Sequence, residues 1–415
     1  MNEPQIHFDV IVIGGGASGM MAAGTAASRG KRVLLLEKNA GLGEKLKITG
    51  GGRCNITNAE YDTHTLLKNY GKAGPFLYSP FSQFGVKDTF TFFESKNLPL
   101  VVQARKRAFP HTEKALDVFK TLEKYLKSGE VIIKTNARIT KIIKEGDKIV
   151  GVIVKGTTYK AKTYILATGG MSHPETGSTG DGFGWLKDLG HTVAEPTPTI
   201  VPLAVSDKWI KSLSGTSLSF MKITFYVDKV KKFQKTGKLL FTHFGLSGPL
   251  ILNSAAQVAD LIQLGQVTAT IDAFPDTDYP ALEEKIVKIF DSNKNKNLKN
   301  VFDEIAPHGT ATSILTLLTD IPDDTKVHSI TKDARKRIVA LLKSLPVTIT
   351  GLMGFDRAVV ADGGIVLTEM DMKTMRSKKI ANLFITGDLL HISRPSGGYS
   401  LQLCWTTGYV AGINA

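Results

Sequence analysis

A chain of 415 residues, 42% hydrophobic and 22% charged, has an ordinary globular composition and enough length for two or three cores. Two cysteines do not make a disulfide framework, no apolar run approaches the roughly 18 residues of a membrane span, and the first ten residues lack the pattern of a signal peptide, so a cytoplasmic address without an anchor is expected. The net charge of +14 is scattered, with dense runs only at Lys229–Lys232 and Lys294–Lys299, and is read as a solvated basic surface rather than a nucleic-acid face, which would cluster cations with aromatics.

Phe8–Ile13 is a continuous apolar run, the pattern of a parallel strand buried on both faces. Ala17–Arg29 reads as a helix of small residues stopped by Gly30, and Val33–Leu36 as a second buried strand ending at Glu37. Together they make a βαβ unit. Gly41–Asn58 is a loop dense in Gly, Lys and Asn. Thr112–Lys127 has helical spacing in Leu116, Phe119, Leu122, Tyr125 and Leu126. Ala137–Lys144, Ile149–Val154 and Thr158–Ala161 alternate as the strands of a meander, and Thr163–Thr168 returns to the buried-strand style. Gly177–Gly182 is a second glycine-rich turn, opening a helix over Phe183–Leu189.

From about Pro196 the character changes. Ser217–Val227, Gly237–Thr242 and Gln266–Ala273 read as strands, Pro249–Leu261 as a helix, and Tyr279–Ser344 as a helical stretch. After Leu345 buried strands resume, ending with Leu383–Thr386 and a final helix near Gly398–Ala411. The expected class is α/β. A Rossmann-like domain of residues 1–195 and 346–415 is interrupted by a β-rich domain (196–278) and a small helical subdomain (279–345).

Gly14-Gly15-Gly16-Ala17-Ser18-Gly19 fits G-x-G-x-x-G in the right context: a strand before it, a helix after it, and Glu37 at the end of the next strand. Gly14 permits the tight turn, Gly16 leaves room for a pyrophosphate, and Gly19 lets helix and strand pack closely. The helix N-terminus offers free N–H groups and a positive dipole end. Glu37 would accept hydrogen bonds from ribose hydroxyls and disfavours a 2′-phosphate. A nicotinamide dehydrogenase would continue with a second βαβαβ half. Here a glycine-rich loop and a meander follow instead, as suits the longer cofactor FAD.

Four further segments fit the same cofactor. Lys45–Asn58 (KLKITGGGRCNITN) combines consecutive glycines, among them Gly51 and Gly52, with Lys45, Arg53 and Asn55. Its Cys54 has no C-x-x-C partner, so packing against the cofactor is preferred to a redox role. Ala167-Thr168-Gly169-Gly170 follows the meander. Gly387-Asp388 ends a buried strand, where a carboxylate can accept a ribityl hydroxyl. Gly397-Gly398-Tyr399-Ser400 opens the last helix, whose N-terminus would stabilise negative charge on the pyrimidine edge of the flavin. No metal site is expected.

These blocks resemble the glutathione-reductase-like FAD fold, in the arrangement of fumarate reductase flavoproteins. More closely, Lys45–Asn58, Leu239–Leu252 and Gly387–Gly412 look like the HI0933-like family of bacterial FAD-dependent oxidoreductases. Members have been linked to aminoacetone oxidation and to reduction of bile-acid intermediates. The resemblance implies cofactor contacts at Gly14, Gly16, Ala17, Ser18, Glu37, Lys38, Lys45, Gly52, Arg53, Cys54, Asn55, Ala137, Thr168, Gly169, Gly387, Asp388, Gly398, Tyr399 and Ser400. Ala137 enters as a backbone contact to adenine.

The expected chemistry is hydride transfer between a small organic substrate and flavin N5. His243, placed between a strand and a helix of the insertion, is the first candidate for proton transfer, since histidine titrates near neutrality. Arg394 is a candidate for a substrate carboxylate or a cofactor phosphate; His391, Tyr399, His173 and Arg105 follow. No second nucleotide-binding unit is visible. Either NAD(P)H visits the substrate pocket transiently, or an amine or alcohol reduces the flavin and oxygen takes the electrons. A flavin-dependent RNA-modifying enzyme and a redox-sensing flavoprotein are the alternatives. Oligomeric state is not legible.

Overall fold

The apolar runs at the start of the chain pair as parallel strands, because each is apolar on both faces and must be covered twice. The computed structural model describes residues 7–415. It divides into two compact units, one of residues up to Pro198 together with Val359–Ala415, the other Thr199–Ala358.

In the first unit β1 (His7–Ile13) leads into α1 (Ala17–Ser28) and β2 (Val33–Leu36). The loop that follows is more ordered than its composition suggests. It holds a short helix α2 (Glu44–Ile48) and strand β3 (Thr57–Asn58). Helices α3 (Thr63–Lys68), α4 (Gly74–Gln83) and α5 (Val86–Glu94) precede β4 (Leu100–Gln103) and β5 (Arg107–Pro110), which form a small sheet with β3. Helix α6 (Ala115–Ser128) buries Leu122 and Leu126 as its spacing predicts, with Phe119 and Tyr125 partly buried, whereas Leu116 points outward and Val118 takes an unpredicted core position. Then come β6 (Ile132–Lys134), β7 (Ile139–Glu145), β8 (Lys148–Val154) and β9 (Thr157–Leu166).

Two expected strands are one in β9. Its first half pairs antiparallel with β8 (Val152↔Tyr159) and its second half parallel with β1 (Ile13↔Leu166). The half-exposed ladder alternates and the buried one does not, which makes one strand read as two. Helix α7 (Asp181–Asp188) and β10 (Val193–Ile200) complete this part of the chain.

The second unit is a closed antiparallel barrel. Its strands are β11 (Leu203–Val205), β12 (Ser217–Val227), β13 (Val230–Thr242), β14 (Gly245–Ser247), β15 (Val267–Asp272) and β16 (Leu345–Leu352), with α8 (Lys208–Ser212) between the first two. The expected helix over Pro249–Leu261 is broken into α9 (Pro249–Leu252) and α10 (Ala255–Ile262). Helices α11 (Tyr279–Ser292), α12 (Leu298–Ile305), α13 (Ala311–Leu315) and α14 (Lys332–Lys343) share one core with the barrel: Ile286, Phe302 and Ile338 join Ile223, Phe225 and Ile271. The two lysine runs lie at the β12–β13 turn and between α11 and α12.

The chain re-enters the first unit as β17 (Val360–Ile365), paired with β10. It ends with β18 (Met370–Asp371), β19 (Arg376–Ser377), β20 (Leu383–Ile385) and α15 (Tyr399–Asn414). The main sheet runs β18-β19-β20-β9-β1-β2-β6, with β20 to β6 all parallel. Among the described residues no helix is long and apolar enough to cross a membrane.

Candidate functional site

Strand register brings the scattered motifs together. Ile13 faces Leu36 on one side and Leu166 on the other, and Leu166 faces Ile385. The carboxyl ends of β2, β1, β9 and β20 are therefore level. Just beyond them stand Glu37, Gly14–Gly16, Ala167–Gly169 and Gly387-Asp388. Ligands of open parallel sheets bind along this edge.

The first turn is packed so closely that only glycine fits. A Cβ on Gly19 would lie 1.8 Å from the Gly14 carbonyl oxygen, and one on Gly14 would lie 2.5 Å from that of Ala167. Gly16 has nothing within 4 Å of where a Cβ would stand, and neither has Gly51 or Gly52. The N–H groups of Ala17, Ser18 and Gly19, at the start of α1, have no intrahelical partner. Glu37, buried, accepts from the Gly15 N–H at 2.7 Å and the Asn39 N–H at 2.8 Å, which fixes its carboxylate beside the turn. Ala137 donates its N–H to the Glu37 carbonyl at 2.8 Å, so only its carbonyl is left for a ligand. Lys38 reaches Asp181 at 2.9 Å and ties the second glycine-rich turn to the first. Thr168 Oγ1 is buried without a hydrogen-bond partner.

The last helix extends the edge further. α1 and α15 run parallel: a Cβ on Gly408 would sit 2.4 Å from the Ser18 carbonyl oxygen, and one on Gly412 2.6 Å from that of Ala22. From that alignment α15 begins about eight residues, roughly 12 Å, ahead of α1. The N-terminus of α15 thus stands about two helical turns beyond that of α1 along their shared direction. A Cβ on Gly398 would fall 2.3 Å from the backbone of Thr57, so the KLKITGGGRCNITN loop docks against the tip of α15. The Asn55 amide, oriented to donate to Thr57 O and Ala108 O, accepts from the Gly398 N–H at 3.0 Å. Tyr399 and Ser400 keep free N–H groups there.

A buried ion cluster holds this end in shape. The Arg394 side chain is 1% exposed and pairs with Asp388. It also donates to the Ile392 carbonyl (2.6 Å) and to Ser400 Oγ (3.0 Å). Lys45 lies 3.6 Å from Asp388 and donates to buried Ser172. Burial would raise the Asp388 carboxyl, but Arg394 and Lys45 outweigh it and hold it below the usual carboxylate range. Arg394 is therefore a clamp on the 388–400 segment, with no free face toward a substrate.

Cys54 is fully buried with a positive φ of 59°, and burial pushes its thiol up. Arg53 donates to Gln103 and Glu113, both at 2.8 Å, and stacks over Phe109. Its Nε is buried without a partner. His243 does not stand between a strand and a helix. It occupies the exposed turn between β13 and β14, closed by Thr242 Oγ1, which accepts the Gly245 N–H at 3.1 Å. The alternating run ended at Thr242, and the three residues of β14 are too short to read as a strand. His391 is exposed, and His173 pairs with Glu175 at 2.8 Å. Sequence reading missed Ser172, and Tyr70, whose buried hydroxyl donates to the Tyr399 carbonyl at 2.9 Å. Neither belongs to a motif; only the fold brings them in.

The donor set fits FAD: an open glycine cradle at α1, an orphaned Thr168 hydroxyl midway, and free N–H groups at α15. Fold and site together define a flavin-binding oxidoreductase. The profile of the HI0933-like protein Rossmann domain matches residues 8–414, and the chain belongs to that family. It is 29% identical over 405 residues to the 3-dehydro-bile acid delta(4,6)-reductase of Clostridium scindens, covering 97% of each chain. It is 27% identical over 411 residues to the ribosomal RNA dihydrouridine synthase of Haemophilus influenzae, again covering 97% of each. In fold it matches the 3-ketosteroid-delta4-(5alpha)-dehydrogenase of Rhodococcus jostii RHA1, with a TM-score of 0.55 at 15% identity, over 100% of this chain and 98% of that one. The protein is an FAD-dependent oxidoreductase.

Proposed function

We propose that this protein is a reductase of a carbon–carbon double bond polarised by a neighbouring carbonyl. The observation that carries the reading is the pair of parallel helix N-termini beyond the strand ends, offset by roughly 12 Å along their shared direction. The first suits a pyrophosphate. The second suits the electron-rich edge of a reduced flavin, which a helix N-terminus stabilises. The two relatives reported above carry names that fit such a reduction, a 3-dehydro-bile acid delta(4,6)-reductase and a ribosomal RNA dihydrouridine synthase.

Gly14, Gly16 and the N–H groups of Ala17, Ser18 and Gly19 would hold the pyrophosphate, and Glu37 and Lys38 the adenosine side. Lys45, Gly51–Asn55, Ala167–Gly169 and Asp388 would line the ribityl chain. Gly397, Gly398 and the N–H groups of Tyr399 and Ser400 would meet the pyrimidine edge. Bound FAD supplies hydride transfer through N5. The Asp388–Arg394–Lys45 cluster keeps the C-terminal segment in place. NAD(P)H is the proposed electron source, visiting the substrate pocket.

The test is anaerobic. NADH or NADPH should bleach the flavin, and an unsaturated oxo-steroid acid or a uridine-containing RNA should restore its colour while gaining two hydrogens by mass. A reduced flavin that only oxygen can reoxidise would refute the reductase reading and favour an oxidase. The ribosomal RNA dihydrouridine synthase among the relatives makes RNA a second substrate reading. That reading requires binding that weakens steeply with salt.

A further inference from the structure

We propose that the turn Arg105–Arg107 is an oxyanion-recognising rim of the substrate site, so that the substrate carries a carboxylate or a phosphate in addition to its reducible bond. The inference rests on the reading above, in which α15 faces the flavin.

Three consecutive cations run from the turn between β4 and β5 into the first residue of β5. Two of them, Arg105 (φ 62°, ψ 33°) and Lys106 (φ 56°), are left-handed. That backbone is strained for residues with a Cβ, and glycine or asparagine would relieve it. Strain of this kind persists where surrounding structure enforces it. The enforcing contact is Asn58. Its amide donates to the Arg105 carbonyl and to the Gly397 carbonyl, both at 3.2 Å. The turn is thereby tied to the glycine pair that opens α15.

The side chains divide their tasks. Lys106 pairs with Glu60 at 2.5 Å. Arg107 Nε donates to the Ala104 carbonyl at 3.1 Å. Burial and then the Glu60 charge raise the Tyr399 phenol. Arg105 is exposed, with no hydrogen-bonded or ionic side-chain partner among the described residues. A free guanidinium fork on a turn tied to the start of α15 suits a planar or tetrahedral oxyanion. Arg394, the other arginine at this end, is consumed by Asp388. Anchoring a remote charge would orient the double bond for reduction.

The FAD-loaded enzyme tests this through the flavin absorbance spectrum, titrated with two matched pairs. One is uridine monophosphate and uridine; the other is an unsaturated oxo-steroid acid and its methyl ester. In at least one pair the charged member should bind roughly tenfold tighter at low salt. The pair that discriminates tells phosphate from carboxylate. Arg105→Asn, which tolerates the left-handed backbone, should abolish the preference without displacing FAD, and Arg105→Lys should keep part of it. Equal binding of charged and neutral members in both pairs, or a preference undiminished in Arg105→Asn, overturns the proposal. Tight, charge-dependent binding of an alkene that NAD(P)H then fails to reduce would sink the reductase reading and leave the rim standing.

Discussion

Replacing Asp388 by asparagine removes one charge and keeps the shape. The Arg394 side chain is 1% exposed and would retain the Ile392 carbonyl and Ser400 Oγ, but nothing would neutralise it. Lys45, 3.6 Å from the carboxylate, would then add repulsion. Stranding a buried cation in this way costs about 3–5 kcal/mol. For a unit of this size each kcal/mol is worth about 2–4 °C, so the melting temperature should fall by roughly 6–20 °C. The assay is thermal unfolding of the FAD-loaded protein, followed by far-UV circular dichroism and by release of flavin fluorescence. The double variant Asp388→Asn with Arg394→Met removes both charges and should recover more than half of the loss. A single variant that melts within about 2 °C of wild type would refute the reasoning. So would a double variant no better than the single one. Because Arg394 and Lys45 depress the Asp388 carboxyl, the wild-type contribution should persist at pH 5 and disappear only below the ordinary carboxylate range.

Gly16→Val should fold normally, since the space at that position is open, but weaken FAD binding by at least about tenfold in a fluorescence titration. Gly19→Ala should instead fail to accumulate as folded protein, its Cβ colliding with the Gly14 carbonyl. Buried His191 bonds Glu369 and Ser377, both at 3.0 Å, and burial lowers its pKa. The unfolded chain takes up that proton first, so denaturant midpoints should fall as pH drops below about 6.5, and His191→Asn should flatten the decline. Glu369 is held at about 2 despite its burial, by Lys379, His191 and Thr192, so its own contribution is lost only in stronger acid. Cys54 is fully buried, which raises its thiol, so it should not react with a thiol reagent until the protein unfolds, whereas half-buried Cys404, raised to about 12, should react slowly in the folded state.

The parts of the site that were legible are those whose function constrains the residue type locally. A strand, G-x-G-x-x-G, a helix and an acidic strand end form one contiguous signature, and the observed β1, α1 and β2 lie within a residue of their expected limits. Buried parallel strands announced themselves by unbroken apolar runs, which also placed β20 at the end of the chain. Strand β9 was misread where its two halves face different partners, because periodicity reports the local environment and not chain continuity. The barrel strands of fewer than four residues, β11 and β14, carry too little pattern to read.

What the amino-acid order determined by itself was the cofactor class and the style of each strand and helix, since backbone geometry and burial act on neighbours in sequence. The tertiary structure decided which motifs meet. The level ends of β2, β1, β9 and β20, the glycine contacts that stagger α15 against α1, and the burial of Arg394 on Asp388 all depend on residues far apart in the chain. It also reversed the order of two candidates, of which sequence ranked Arg394 first. Arg394 lost its free guanidinium to a buried pair, and Arg105 kept one, because burial and competition for a carboxylate are settled only in three dimensions.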